Sequence, residues 1–178
     1  MLYASSKFAD ARTRAQQLIA QNGEKVIPRM YRMVAYTSDT LGDLATAKTA
    51  MTNFFSKADT SAERGLDYEI LPTDYEEFAK IYSKMPDSTS QVQAFTYYEK
   101  AISTDTLVSN QERYATAGLE LAKKLKNIPA TAQLSRALYA TQKVASNSDL
   151  YKFGMANYSI GNYKLADSIF CVVYESQF

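Results

Sequence analysis

From Ser148 to Phe170 the chain reads SDLYKFGMANYSIGNYKLADSIF, and helical periodicity runs through it twice. Leu150, Phe153, Gly154, Asn157 and Tyr158 share one helix face, and Tyr163, Ala166, Ile169, Phe170 and Val173 share another. Asp149 or Ser148 supplies an N-cap, and Gly161-Asn162 stops the first helix as a C-terminal glycine does. Two helices joined by so short a turn are predicted to lie antiparallel. Small residues at Gly154 and Ala166 then set a close interhelix distance, while Phe153, Tyr163 and Phe170 fill the space around them.

The same pattern recurs upstream. YRMVAYTSDTLGDLATAKTAMTNFFSKA places Tyr31, Val34-Ala35, Gly42, Leu44, Ala47, Met51 and Phe54 at matching positions. DYEEFAKIYSKM offers Tyr75, Phe78-Ala79 and Tyr82, and VQAFTYYEKAI follows with Ala94, Tyr98 and Ala101 across the longer turn PDSTS. FADARTRAQQLIAQNG reads as a second helix alone, with Phe8, Ala11, Ala15 and Leu18. GLELAKKLKNIPATAQLSRALYA is the weakest copy, with Leu119, Asn127 and Ala132, and it puts Arg136 where an aromatic is expected. The alanines Ala11, Ala47, Ala94, Ala132 and Ala166 are separated by 36, 47, 38 and 34 residues. The long interval contains SKADTSAERGLDYEILPT, read as an extended loop closed by Pro72 with an Asp74 or Thr73 cap. Strand-like alternation never persists.

These residues resemble the tetratricopeptide repeat (TPR), in degenerate copies of the bacterial type. That family reads aromatic or Leu, then Leu-Gly, Tyr, Ala, Phe and Pro over roughly 34 residues. Asn157 stands where the family has Tyr, and Phe178 is reached about where its Pro would come. The resemblance implies an all-α fold, a right-handed superhelix (α-solenoid) of antiparallel helix pairs. The expected repeat domain covers 1–178, with units at 1–25 (partial), 28–61, 72–108, 111–146 and 147–178, and helix turns near Gly42, Pro86 to Ser90, Asn127 and Gly161. Because residues 1–6 read as the tail of a first helix and Phe170 and Val173 lack a covering helix, a fragment of a longer protein is expected, with self-association through its uncapped ends as one consequence.

Composition narrows the function. The 178 residues are 46% hydrophobic, ample for one domain core. With 20 basic and 19 acidic residues, net charge +1, there is no basic excess of the kind nucleic-acid binders carry. Apolar runs are too short to span a membrane. There is no histidine, which removes the commonest general base and imidazole-dependent zinc sites, so neither metal nor cofactor is expected. Cys171 is the single cysteine, so the compartment is not legible from thiols, and an upstream segment could carry a signal: bacterial cytoplasm and cell envelope both stay open.

Candidate chemistry is sparse. Glu76 and Glu77 are adjacent on a helix and so cannot share a substrate; first-turn carboxylates favour the helix dipole. Lys123, Lys124 and Lys126 close a helix, where cations are favoured anyway. Cys171, between Phe170 and Val172, reads as an inert packed thiol. Asn157-Tyr158-Ser159 matches a glycosylation sequon but falls inside a predicted helix.

The resemblance also implies where a ligand would sit. In that family the first helix of each unit faces the concave side. Carried over, its contact positions are Arg29, Arg32 and Tyr36; then Glu76, Lys80 and Ser83; then Tyr151, Met155 and Tyr158. Arg and Tyr are common binding anchors. One subtype clamps a C-terminal carboxylate with a lysine and an asparagine; Arg32 and Tyr36 replace them here, which puts that ligand class in doubt. The expectation is a non-catalytic scaffold that binds a peptide or partner protein in this groove. The alternative is an enzyme or small-ligand binder whose groove is closed by the loop from Ser56 to Thr73, a length at which loops are often functional.

Overall fold

A computed structural model describes residues 7–59, 65–141 and 146–176. These residues form nine α-helices: α1 (Phe8–Asn22), α2 (Pro28–Thr40), α3 (Leu44–Lys57), α4 (Pro72–Lys84), α5 (Ser88–Thr104), α6 (Val108–Lys124), α7 (Ile128–Thr141), α8 (Asn147–Ser159) and α9 (Tyr163–Glu175). Extended pairing among them is limited to one isolated parallel bridge, Asp59 to Glu69. The chain divides into two compact units, 1–94 and 95–178, with α5 running across the division. The expectations for residues 1–6 and for Phe178 lie outside the described residues.

Three turns share one hydrogen-bond pattern, and that pattern defines the repeat register. The N–H of Asp43, Asn127 and Asn162 donates to the carbonyl of Ser38, Ala122 and Asn157 respectively, each at 2.9 Å. The residue just before each donor, Gly42, Lys126 or Gly161, has positive φ, at 79°, 53° and 80°. This is the six-to-one closure that ends a helix by placing one residue in the left-handed region. Glycine takes that conformation without cost, whereas Lys126 adopts it against its own side chain. One residue into the turn, Asp43 and Asn127 cap the next helix, accepting from Thr46 N and Ala130 N at 3.1 Å.

The next bonds in the pattern join Ala47, Thr131 and Ala166 N–H to the carbonyls of Asp43, Asn127 and Asn162. Thr131, not Ala132, therefore occupies the position of Ala47 and Ala166. The weakest copy is shifted by one residue from its sequence alignment, because its turn carries Lys126 in place of the glycine that marks the others. Ala132 is nonetheless 2% exposed, and Ala47, Ala94 and Ala166 are no more than 1% exposed, as expected for residues at helix crossings.

Two caps differ from expectation. Leu71 precedes α4, and Asp74 reaches back from the third position to accept its N–H at 2.8 Å. Ser146 caps α8, its Oγ accepting from Asp149 N at 3.2 Å.

The core of the first unit gathers Val34, Ala35, Met51 and Phe54 with Phe78, Ala79 and Ile81, as α4 packs on both α2 and α3. In the second unit Tyr114, Ala115 and Leu134 are buried, and Leu150, Phe153 and Ile169 form a cluster between α8 and α9. Apolar area removed from water at roughly 25 cal/mol per Å² is what holds such pairs together.

Candidate functional site

In the first unit, the α2 positions singled out by sequence are already engaged by their own chain. Arg29 pairs with the Asp67 carboxylate at 3.2 Å, and its backbone N–H donates to the Asp67 carbonyl at 3.1 Å. The Arg32 guanidinium lies 3.0 Å from Asp74 Oδ2, donates to the carbonyl oxygens of Leu66 and Glu69, and stacks over the Phe54 ring at 4.6 Å. Tyr36 donates its hydroxyl proton toward Asp74 Oδ1 at 3.0 Å and Thr73 O at 3.1 Å. The described part of the loop between α3 and α4 thus lies along α2, and its carbonyls and carboxylates meet the very groups that the resemblance assigns to a ligand.

Asp74 is the hub of this arrangement and is fully buried. Burial raises its carboxyl above the ordinary range, although Arg32, the Leu71 N–H and the Tyr36 hydroxyl all pull the other way. Burial and the facing Asp74 charge likewise raise the Tyr36 phenol. Along α4, Glu76 is 5% exposed and pairs with Lys80 at 2.9 Å, so this residue is turned inward rather than presented to solvent. Ser83 donates to Lys80 O at 2.7 Å. Glu77 is pushed up to about 7 by burial and by the Asp39 charge, against Lys80 and Lys84.

In the second unit the corresponding positions are open. Tyr151, Met155 and Tyr158 are 53%, 42% and 55% exposed and follow one another along α8. Tyr151 and Met155 line a groove of about 430 Å³ with Ile128, Thr131 and Lys126 from the α6–α7 turn and the start of α7. Tyr158 lines a second groove of about 500 Å³ with Tyr163, Lys164, Asp167 and Phe170. A smaller cavity of about 60 Å³ in this unit carries a single carboxylate, Asp149.

Other sequence candidates resolve structurally. Cys171 is exposed on α9 rather than packed, because Phe170 and Val173 take the inward-facing side of that turn. The Asn157 amide is buried and donates to Phe153 O at 2.9 Å and accepts from Asn162 at 3.2 Å, so it ties the α8–α9 turn instead of standing free as a sequon. No group of three or more metal-ligating side chains forms among the described residues. No helix among them is long and apolar enough to cross a membrane.

No family model matches the chain, and no curated protein matches it. Solved structures do. The C-terminal part of a TPR repeat-containing protein from Cytophaga hutchinsonii matches with a TM-score of 0.58 at 21% identity, over 98% of this chain and 61% of that one. The fold is TPR-like. MamA matches with the same TM-score, 0.58, at 11% identity over 99% of this chain and 92% of that chain. The TPR-like chain thus spans about three fifths of the length of the Cytophaga hutchinsonii chain. At such identities the likeness extends to the fold, and the residues of the α2 and α8 faces stand on their own geometry.

Proposed function

We propose that this TPR-like chain is a non-catalytic interaction scaffold that holds a peptide or partner protein against the exposed face of α8. The carrying observation is the run of Tyr151, Met155 and Tyr158, all large and largely exposed, beside an open groove lined in part by Ile128 and Ala156. Tyrosine brings rigid contact area with a hydrogen-bonding tip, and methionine adapts to irregular apolar partners. Two of the acidic side chains on α4 are committed to ion pairs, Asp74 with Arg32 and Glu76 with Lys80. The α2 face, with Arg29, Arg32 and Tyr36, belongs to the same proposal in a different state: it meets acidic and carbonyl groups of its own loop, chemistry that an acidic extended peptide would share.

The test is to capture partners from the source cells with the chain, identify a directly binding peptide, and measure its affinity for Tyr151→Ala beside the melting temperature. A loss of about tenfold, with melting unchanged, is expected for an anchor of this kind. Equal affinity for the two proteins would remove α8 from the binding surface.

A further inference from the structure

Three lysines from three elements converge where α7 meets α8. Lys123 lies at the end of α6, Lys126 in the α6–α7 turn and Lys152 on α8. Leu119, Leu138 and Phe153 wall the cavity of about 60 Å³, and its charged residues are Lys123, Lys152 and Asp149. The groove of about 430 Å³ has Lys126 and Lys152 as its charged residues, beside Ile128, Met155 and Ala156. Thr131 and Lys152 line both, so cavity and groove adjoin, and each has α7 on one side and α8 on the other.

Three cations thus stand against one carboxylate. Asp149 does not cancel them: its Oδ1 is 3.7 Å from Lys152 Nζ, beyond hydrogen-bond reach, and its Oδ2 accepts from the Ser146 hydroxyl at 2.6 Å. Lys123 and Lys126 pair with no carboxylate among the described residues. Lys126 adds an independent sign. Among the described residues it is the one non-glycine with positive φ, 53°. Gly42 and Gly161 close the equivalent turns with the same hydrogen bond, so the turn needs no side chain there and a lysine weakens it. Strain kept at a residue whose side chain lines a groove points to a role for that side chain in binding.

We infer that, with α8 as the binding face proposed above, the partner is an acidic segment of another protein in which an aliphatic residue is flanked by carboxylates. The aliphatic side chain enters the cavity between Leu119, Leu138 and Phe153, and the carboxylates meet Lys152 and Lys126 along the groove. Flexible ammonium groups on three separate elements suit side-chain carboxylates at varied spacing. Three lysines are few for the phosphate neutralisation on which nucleic-acid affinity rests. In a second copy of this chain the exposed Leu66 is followed by a carboxylate, but Asp67 already pairs with Arg29 at 3.2 Å.

The test selects a random phage-displayed dodecapeptide library on the full chain. Recovered peptides are then made as fluorescein conjugates and measured against variants by fluorescence anisotropy. They should carry an excess of Asp and Glu around Leu, Ile or Val, and Lys152→Glu should weaken them at least about tenfold with melting unchanged. If Lys152→Glu lowers the melting temperature, Lys152→Gln gives the same reading as a smaller loss. Lys126→Gly separates binding from folding: it should raise the melting temperature yet weaken the peptides about threefold, whereas a lysine with only a structural role would leave affinity unmoved. Peptides that respond to Tyr151→Ala but to neither lysine substitution, or that are neutral or basic, overturn the acidic partner and leave α8 as the binding face. Peptides indifferent to all three substitutions, or no peptide binding below about 1 mM, overturn both readings. A single-stranded oligonucleotide that binds more tightly than every acidic peptide overturns the inference too, as does a dimer of the free chain that Lys152→Glu dissociates.

Discussion

The ring of Phe170 lies across the bare Cα of Gly154: a β-carbon built there would stand 2.5 Å from Cε1 and 2.9 Å from Cδ1 of that ring. Glycine in mid-helix is conformationally unfavourable by roughly 1 kcal/mol relative to alanine, so this position accepts that cost for the close approach of α8 and α9. Gly154→Ala should therefore lower stability by about 1–3 kcal/mol despite the better helix former, because the Phe170 ring must move. Chemical denaturation of Gly154→Ala, of Phe170→Leu and of the double variant checks it. The double variant should lose less than the two single losses added together.

Ala166 is 1% exposed at the same crossing. Ala166→Leu should overpack it and cost about 1–3 kcal/mol. A melting temperature equal to that of the parent would place Ala166 away from the α8–α9 contact.

The Arg32–Asp74 pair is a buried ion pair of the first unit, with Arg32 15% and Asp74 1% exposed at the side chain. Arg32→Met should cost about 3–5 kcal/mol, since it leaves the Asp74 carboxylate desolvated with only the Leu71 N–H and Tyr36 hydroxyl as donors. Adding Asp74→Asn should recover part of that loss, because the orphaned charge disappears with it. Urea midpoints of the two single variants and the double variant give the coupling directly.

Glu77 sets a pH dependence of definite sign. Its carboxyl is raised to about 7 from an ordinary 4.5, so the folded chain binds a proton that the unfolded chain has released. Stability from this group is full below the unfolded value and falls as pH rises through about 7. Glu77→Gln should gain about 1–2 kcal/mol at pH 8 relative to pH 5, after allowance for solvent screening. Melting curves of the parent and the variant between pH 5 and pH 8 should converge at the acid end and separate at the alkaline end.

Asp105 titrates in the opposite sense. Burial favours its neutral form, but donation from the Leu107 N–H at 2.9 Å, the Tyr114 hydroxyl at 2.9 Å and the Asn110 amide at 3.0 Å, with the Arg113 charge, holds the carboxyl below its ordinary value. Its contribution is present above the unfolded value and is lost as pH falls through the acid range. Asp105→Ala should cost about 1–3 kcal/mol at neutral pH and flatten the acid limb of the stability profile. Acid titration followed by circular dichroism measures both effects.

The sequence by itself determined the helices, their antiparallel pairing and the turns at Gly42 and Gly161, because each rests on local chemistry: periodicity, a left-handed glycine, and a small residue at the crossing. It also marked Tyr151, Met155 and Tyr158 as one face of α8. It misplaced the 111–146 copy by a residue, since Lys126 performs in the structure the turn that glycine performs at Gly42 and Gly161, and no local signal distinguishes such a lysine from a solvated one. The inward turn of Glu76, the exposure of Cys171 and the engagement of Arg29, Arg32 and Tyr36 were decided by tertiary structure alone. The Arg29, Arg32 and Tyr36 side chains meet groups 34 to 42 residues away in the chain, Arg32 with Leu66 and Asp74 among them, and a linear pattern does not say which distant segment will supply the carboxylate or close over the helix. Whether a helix face binds a partner or its own loop depends on that distant segment, and therefore on the fold.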